Sequence, residues 1–512
     1  MADRAVTLSA GLLAAALIAL LLAPLAALGL ALKGFSLSAP EISALRFTLL
    51  QATLSALASV LLAIPVARAL ARRQFAGRTL LISLLGAPFI LPVIVAVFGL
   101  LAVFGRAGWA NQALALAGLP SFSIYGLQGV VLAHVFLNMP LAVRMILHGW
   151  QSIPSERFRL AASLGFDPAD IARHIERPML RAVVPGAALV IFVICLTSFA
   201  VALTLGGGPR ATTLELAIYQ ALRFEFNLPA AARLALVQFG ICALAYLLST
   251  RIALPESFGA GLDRLGGPPS PAGWRRNIDA TAILLSAVFI ALPLGSVIHS
   301  GLPGLIDLPA SVWEAAARSL AIALGSALLC MAAALLLALA AARGAGWPTL
   351  AATLPLAASS LVLGTGLFLI IQPFFRPSSL ALPITLLVNA TLALPFAFRI
   401  LAPEARSLYR DYGRLTSALG MPAIARLRWI ILPRLSRPLG FAAGLVAALS
   451  MGDLGVIALF AGEQQVTLPL LVYGLMGAYR MEAAASAALL LVSLSFALFL
   501  TFDMIGKRHA ST

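Results

Sequence analysis

The chain has 512 residues, of which 61% are apolar and only 11% are charged, and its formal net charge is +16. Soluble domains average about 45–50% apolar and roughly 25% charged residues, so a chain of this length could not cover a water-facing surface with so few charges. The composition excludes a soluble globular protein and favours a membrane protein whose outer surface faces lipid.

Apolar stretches near the roughly 20 residues needed to cross a bilayer follow one another along the chain. Unpaired backbone groups are costly in lipid, so each stretch is predicted to be a helix, and the fold class is all-α integral membrane with about 12 transmembrane helices. Pro65, Pro92, Pro140, Pro293 and Pro395 are predicted inside spans, where membrane helices tolerate proline. The predicted spans are residues 8–32, 45–71, 80–104, 125–147, 184–205, 231–253, 278–300, 312–341, 348–372, 380–401, 439–460 and 483–502.

The first stretch is about 25 residues long, longer than the roughly 7–15 residues of a signal-peptide core, and it is predicted to be a retained anchor. When the N-terminus is placed inside, most of the 35 Lys and Arg residues fall on inner connections. Cytoplasmic loops are enriched in these residues, so the sequence predicts a bacterial inner-membrane protein with both termini cytoplasmic. The same distribution explains the net charge without nucleic-acid binding.

The chain shows no residue pattern for catalysis or metal binding. Cys195, Cys242 and Cys330 lie in apolar spans, so no disulfide is expected, and the five histidines have no metal-ligand spacing. Neither Lys33 nor Lys507 stands in the Gly-x-x-x-x-Gly-Lys-Ser/Thr pattern of a P-loop. We therefore predict that this chain is not an enzyme, that it binds no cofactor itself, and that any ATP and Mg are held by a partner.

Two long inner connections carry the same pattern, displaced by 255 positions. Gly165 is followed 13 residues later by Pro178, and Gly420 is followed at the same distance by Pro433. Both connections fall on the same side, so the sequence predicts two parallel halves. The predicted organisation is an N-terminal transmembrane helix at 1–43, a first transmembrane domain at 44–254, a cytoplasmic linker at 255–276, an extra transmembrane helix at 277–311 and a second transmembrane domain at 312–505.

Each repeated connection shows apolar residues at helical spacing among charged ones. Gly165 is predicted at a sharp turn with positive φ, and Pro178 at the start of the next helix. Such a helix-turn-helix is suited to docking into a groove of a soluble partner. An amphipathic helix resting on lipid headgroups is the alternative, and the duplication favours docking.

The repeated pattern resembles the coupling loop of binding-protein-dependent ABC importer permeases, Glu-Ala-Ala-x-x-x-Gly-x9-Ile-x-Leu-Pro. The resemblance implies two type I ABC permease halves that dock on two copies of a cytoplasmic ABC ATPase and receive substrate from a periplasmic binding protein. Arg159 and Arg414 replace the opening acid, and Arg177 replaces the Leu in the first copy. The residues carried over as ATPase-coupling positions are Arg159, Ala161, Gly165, Ile175, Pro178, Arg414, Gly420, Ile430, Leu432 and Pro433.

The whole chain is similar to fused two-half permeases for thiamine and for ferric iron, and to the thiamine permeases in particular. That resemblance implies import of thiamine or a phosphorylated form, with ferric iron as the alternative substrate. An ion-coupled secondary transporter and a membrane-embedded enzyme are the alternatives from other classes. The similar stretches are residues 91–99, 125–129, 205–209, 214–222 and 452–460.

Asp453 lies within the eleventh predicted span, where an ionisable side chain facing lipid costs at least about 2.5–3.5 kcal/mol. We predict that it faces the bundle interior and the translocation pathway, where it could pair with a cationic substrate. Ser198 is its counterpart in the first half. The alternative is an interhelical contact, or a gating hinge formed with Gly452 and Gly455.

Overall fold

The computed structural model describes residues 2–510 except 87, 89, 209–210, 252–272 and 463. Helices account for most of these residues and no β-strand occurs among them, so the all-α prediction is confirmed. In this described part, eleven helices are long and apolar enough to cross a membrane, and one bent pair makes twelve if it is counted as a span. The protein is therefore a multi-pass membrane protein.

The first half, residues 2–251, contains six of these eleven membrane-length segments and several short helices between them. Its helices are α1 (Ala2–Leu30), α2 (Ala39–Arg72), α3 (Arg78–Leu84), α4 (Val93–Phe104), α5 (Trp109–Leu116), α6 (Leu127–Gln151), α7 (Ser155–Ser163), α8 (Pro168–Ile171), a π-helix (Ala172–Glu176), α9 (Arg177–Leu196), α10 (Phe199–Leu205), α11 (Leu214–Arg223) and α12 (Leu228–Arg251).

The second half, residues 273–510, repeats this order with fewer separate helices, because the counterparts of α6 and α7 are fused into one helix of 38 residues. Its helices are α13 (Trp274–Gly301), α14 (Ala310–Ala341), α15 (Trp347–Thr353), a 3-10 helix (Leu354–Ala357), α16 (Ser360–Ile371), a 3-10 helix (Pro377–Leu380), α17 (Ala381–Ala418), α18 (Ala423–Arg426), a π-helix (Leu427–Ile431), α19 (Leu432–Met451), α20 (Gly455–Phe460), α21 (Leu468–Gly477) and α22 (Met481–Ala510).

Four of the predicted continuous spans are broken, and the breaks are paired between the halves. The third span divides into α3 and α4, and Pro92 is the residue just before α4 rather than a residue inside a helix, which corrects the prediction. The ninth span bends by 90° between Trp347–Ala357 and Ser360–Ile371. The fifth span is interrupted between α9 and α10, and the eleventh between α19 and α20. Hydropathy measures apolar length only, so it does not detect these interruptions.

A pair of equivalent hydrogen bonds confirms that the halves are structural repeats. The Thr48 hydroxyl accepts a hydrogen bond of 2.8 Å from the Leu214 N–H at the start of α11. The Ser319 hydroxyl accepts one of 2.8 Å from the Leu468 N–H at the start of α21. Each hydroxyl satisfies a backbone donor that the first turn of a helix leaves without a partner.

The first helix of each half packs against the opposite half. A Cβ added to Gly99 of α4 would lie 2.5 Å from the Pro293 carbonyl oxygen of α13, and one added to Gly366 of α16 would lie 2.5 Å from Pro24 of α1. Glycine permits this close helix approach because it has no side chain. The reciprocal contacts interlock the halves.

Substituting Gly99 tests this interlocking. In Gly99→Ala the new methyl group meets backbone atoms of α13, which cannot move as a side-chain end can. We expect the free energy of unfolding to fall by about 1–3 kcal/mol, the usual cost of overpacking. Thermal denaturation of the purified protein in detergent measures the change. Gly240→Ala is the control, because no atom lies within 4 Å of that Cβ position, and equal melting of the two variants would contradict the contact.

The boundary between the halves falls largely outside the described residues. Of the predicted linker 255–276, residues 255–272 are not described, and the helix α13 already begins at Trp274. The last helix α22 continues to Ala510, beyond the predicted domain end at residue 505.

Candidate functional site

The first repeated connection forms a short helix, a tight turn and a second helical segment that leads into α9. Gly165 has φ +69°, in the left-handed region that glycine adopts at low cost. The Asp167 carboxylate then accepts hydrogen bonds from the N–H groups of Ala169 and Asp170, at 2.7 and 2.8 Å, and caps α8. The predicted helix-turn-helix is present here.

The second connection repeats the turn and the second helical segment, displaced by 255 positions, but its first helix is the end of α17 rather than a separate short helix. Gly420 has φ +59° after the end of α17. The π-helices Ala172–Glu176 and Leu427–Ile431 occupy equivalent positions, which the sequence pattern did not predict. Pro178 and Pro433 both lie in the first turn of the following long helix, as predicted, where a missing N–H is tolerated.

Equivalent leucines project from both connections. Leu160 and Leu164 have exposed fractions of 61% and 62%, and their counterparts Leu415 and Leu419 have 53% and 65%. Spaced four residues apart, each pair lies on one helix face. The two connections therefore present matching apolar contact points, which we call the leucine pairs.

The remaining residues predicted for coupling differ in exposure. Ala161, next to Leu160 in the chain, is buried, and Thr416 is its buried counterpart in the second connection. Ile175 and Ile430 are half-buried, whereas Pro178, Leu432 and Pro433 are exposed. Arg159 and Arg414 are exposed as well.

Arg159 is paired within its own helix. Its guanidinium lies 2.8 Å from the Glu156 carboxylate, and both side chains are exposed. Hydrogen bonds from the Glu156 backbone and from the Ser155 hydroxyl lower the pKa of the Glu156 carboxyl. A carboxylate is thus present in this connection, three residues before the position of the family's acid.

The first connection is anchored by buried charges that sequence reasoning missed. Glu176 is only 3% exposed and forms ion pairs with Arg72 and, at 3.0 Å, with Arg68 of α2. Its counterpart in the second connection is Ile431, which lines an apolar cavity of about 340 Å³ with Leu339. The two connections are therefore alike in backbone and different in attachment.

The residues predicted for the pathway lie at the broken spans. Ser198 immediately precedes α10, and Asp453 lies two residues before α20; both are half-buried. The Asp453 carboxylate accepts a hydrogen bond of 3.3 Å from the Gly455 N–H. A Cβ on Gly452 would lie 3.0 Å from Pro92 of the first half, so this break lies at the contact between the halves.

At the break in the first half, backbone carbonyls accept hydrogen bonds from two buried side-chain amides. Gln51 and Gln238 donate hydrogen bonds of 3.0 and 2.9 Å to the carbonyls of Cys195 and Leu196, where α9 ends. Glu215 of α11 is fully buried beside Gln238. Sequence reasoning included Glu215 only within a similar stretch, although a lone carboxylate in an apolar segment is a recognisable signal.

Comparison with known proteins gives relatives along nearly the whole chain. The Thiamine transport system permease protein of Salmonella typhimurium is 40% identical over 475 residues, covering 90% of this chain and 88% of the relative. The protein of that name from Brucella abortus is 40% identical, covering 90% of this chain and 86% of the relative. The protein of that name from Haemophilus influenzae is 35% identical, covering 88% of this chain and 87% of the relative. No family model matches the chain.

Proposed function

Because this chain belongs to the family of thiamine transport system permease proteins, we propose that it is the membrane-spanning permease subunit of an ATP-driven importer that translocates thiamine or a phosphorylated form of it. The observation that carries the ATP-driven part is the pair of matching connections with exposed leucines. The relatives are named for thiamine, and no observation favours ferric iron or ion-coupled transport.

The proposed partners are two copies of a cytoplasmic ABC ATPase and one periplasmic binding protein. Equal backbone geometry at 159–178 and 414–433 suits two identical ATPase subunits. ATP and Mg belong to those subunits, because the sequence has no P-loop. The distribution of Lys and Arg supports a bacterial inner membrane and cytoplasmic termini.

The proposed coupling residues act by transmitting movement of the ATPase subunits. When ATP draws the two subunits together, they pull the leucine pairs and the turns at Gly165 and Gly420 toward each other. The interlocked halves then tilt about their contact near Gly452 and Pro92. ATP drives the change because it stabilises one of two conformations more than the other.

The proposed pathway passes the breaks at Ser198 and Asp453. Each break leaves a short helix, α10 or α20, and both helices contribute to the apolar cluster that contains residues of the two halves. Discontinuous helices at the centre of transporters provide backbone and side-chain groups for substrate. The Asp453 carboxylate could accompany a cation, while its hydrogen bond to Gly455 supports the hinge alternative.

Reconstituted transport tests this function. Proteoliposomes that contain the permease, its ATPase and external binding protein should accumulate labelled thiamine only with internal ATP, and a protonophore should leave uptake unchanged. Labelled ferric iron presented with the same binding protein is the matched control and should not accumulate. ATP-independent uptake that collapses with the protonophore would show an ion-coupled carrier instead.

A further inference from the structure

Glu215 is a buried acidic side chain without a basic partner among the described residues. It is 0% exposed, its polar neighbours are the side chains of Ser359 and Gln238, and no described arginine, lysine or histidine forms an ion pair with it. The arginines of α11 and of the following helix α12 are engaged elsewhere. Arg223 donates a hydrogen bond of 3.1 Å to the Ala461 carbonyl, and Arg233 forms an ion pair of 2.6 Å with Glu41. A buried carboxylate without a cationic partner is costly, so a positively charged group is expected to meet it at some stage.

The surroundings of Glu215 add acceptors. Gln238, which neighbours Glu215, and Gln51, which contacts the same end of α9, are both fully buried and donate their amide N–H groups to carbonyls there. Their amide oxygens have no donor in the described part of the chain. The C-terminal end of a helix also carries partial negative charge. The cluster is therefore complementary to a cation or to a ligand that donates hydrogen bonds.

The repeat indicates that the fold itself does not need a carboxylate at this position. Glu215 is the second residue of α11, and the second residue of α21 is Pro469. Gln238 is replaced at the same position of α22 by the buried apolar Leu491. The second half builds the same helices without a carboxylate at this position, so Glu215 serves a purpose other than helix packing.

The cluster lies where the two halves meet. Ser359, at the bend before α16 in the second half, is a polar neighbour of Glu215. Ser360 lies against Gly455, next to Asp453, which forms no ion pair within the described residues. Two carboxylates thus flank one bend at the contact between the halves. Tilting of the halves would open this contact to a substrate.

We propose that Glu215, with the Gln238 amide oxygen, forms the site where the first half recognises the positive charge of an organic cation during translocation. The inference rests on the proposed function, since thiamine carries a permanent charge on its thiazolium ring and an amino group that donates hydrogen bonds. In the conformation described here the two halves close over the site. The negative charge of the carboxylate compensates the hydration that the cation loses as it leaves water.

Uptake of labelled thiamine by Glu215→Gln tests the site in proteoliposomes with the ATPase and loaded binding protein. Glutamine keeps the shape of the glutamate side chain and removes its negative charge. We expect uptake per ATP hydrolysed to fall at least about tenfold, the effect of losing one charged hydrogen bond. ATP hydrolysis stimulated by the binding protein should persist, and the melting temperature should stay equal or rise. Glu215→Asp, which keeps the charge, should recover part of the uptake.

Glu225→Gln is the matched control, because it removes the same charge from an exposed position ten residues away, and it should transport normally. Uptake by Glu215→Gln within twofold of the wild type would overturn the proposed site. A parallel fall of uptake, hydrolysis and melting temperature would overturn it too, by showing a structural role. If the wild type itself accumulates no thiamine, the proposed function fails rather than the cation site alone.

Discussion

Replacing Leu164 and Leu419 together with aspartate should reduce ATP-driven uptake at least about 30-fold and prevent co-purification of the ATPase. Both leucines are more than 60% exposed, so the change adds charge without disturbing a core. An apolar anchor at the centre of a protein interface is often worth about 2 kcal/mol or more, which corresponds to roughly 30-fold in binding. Affinity purification followed by uptake in proteoliposomes measures both effects.

The control for the leucine pairs is Leu116→Asp. Leu116 is 92% exposed at the end of α5, and the long helix α6 separates it from the first repeated connection. This variant should bind the ATPase and transport normally. If the double variant Leu164→Asp, Leu419→Asp keeps full uptake, the leucine pairs are not the docking surface, and an amphipathic segment lying on lipid becomes the better interpretation.

Replacing Glu176 with glutamine should lower the free energy of unfolding by about 3–5 kcal/mol. The substitution leaves the Arg72 guanidinium buried without its carboxylate, and removing one partner of a buried ion pair has a cost of this size. Because Glu176 joins the first connection to α2, stimulation of the ATPase by the binding protein should fall as well. Denaturation in mixed detergent and a hydrolysis assay measure the two effects.

The ion-pair prediction has two matched variants. Glu156→Gln breaks the exposed pair with Arg159 and should leave stability unchanged, since solvent screens such pairs. The double variant Arg72→Leu, Glu176→Leu removes both buried charges and should recover much of the lost stability. Equal stability of Glu176→Gln and the wild type would mean that the buried pair contributes nothing to the fold.

The repeated turns show how much local sequence could specify. Gly165 and Gly420 are in the left-handed region, and Pro178 and Pro433 are in the first turn of the next helix, as the pattern predicted. These conformations depend on single residues whose allowed φ angles are set by their own side chains. The cytoplasmic position and the ATPase contact of these turns stay predictions.

The pathway was predictable only in part. Asp453 was singled out because a carboxylate inside an apolar span is costly in lipid, and Ser198 was named as its counterpart in the first half. Glu215 was not singled out, because its burial arises from packing between α11 and the second half. The interruptions of the four spans were also missed. Backbone carbonyls at an interruption accept hydrogen bonds from side chains distant in the chain, such as Gln51 and Gln238 at the end of α9.

By itself the sequence determined that the chain is an all-helical membrane protein of two parallel halves, because apolar length, charge distribution and repeated spacing are properties of neighbouring residues. Only the tertiary structure decided how the halves meet. The close approach of Gly99 to Pro293 and of Gly366 to Pro24, the Glu176 ion pairs and the burial of Glu215 all join residues distant in the chain. The physical reason is that packing and charge burial depend on which helices touch, and neither hydropathy nor spacing records those contacts.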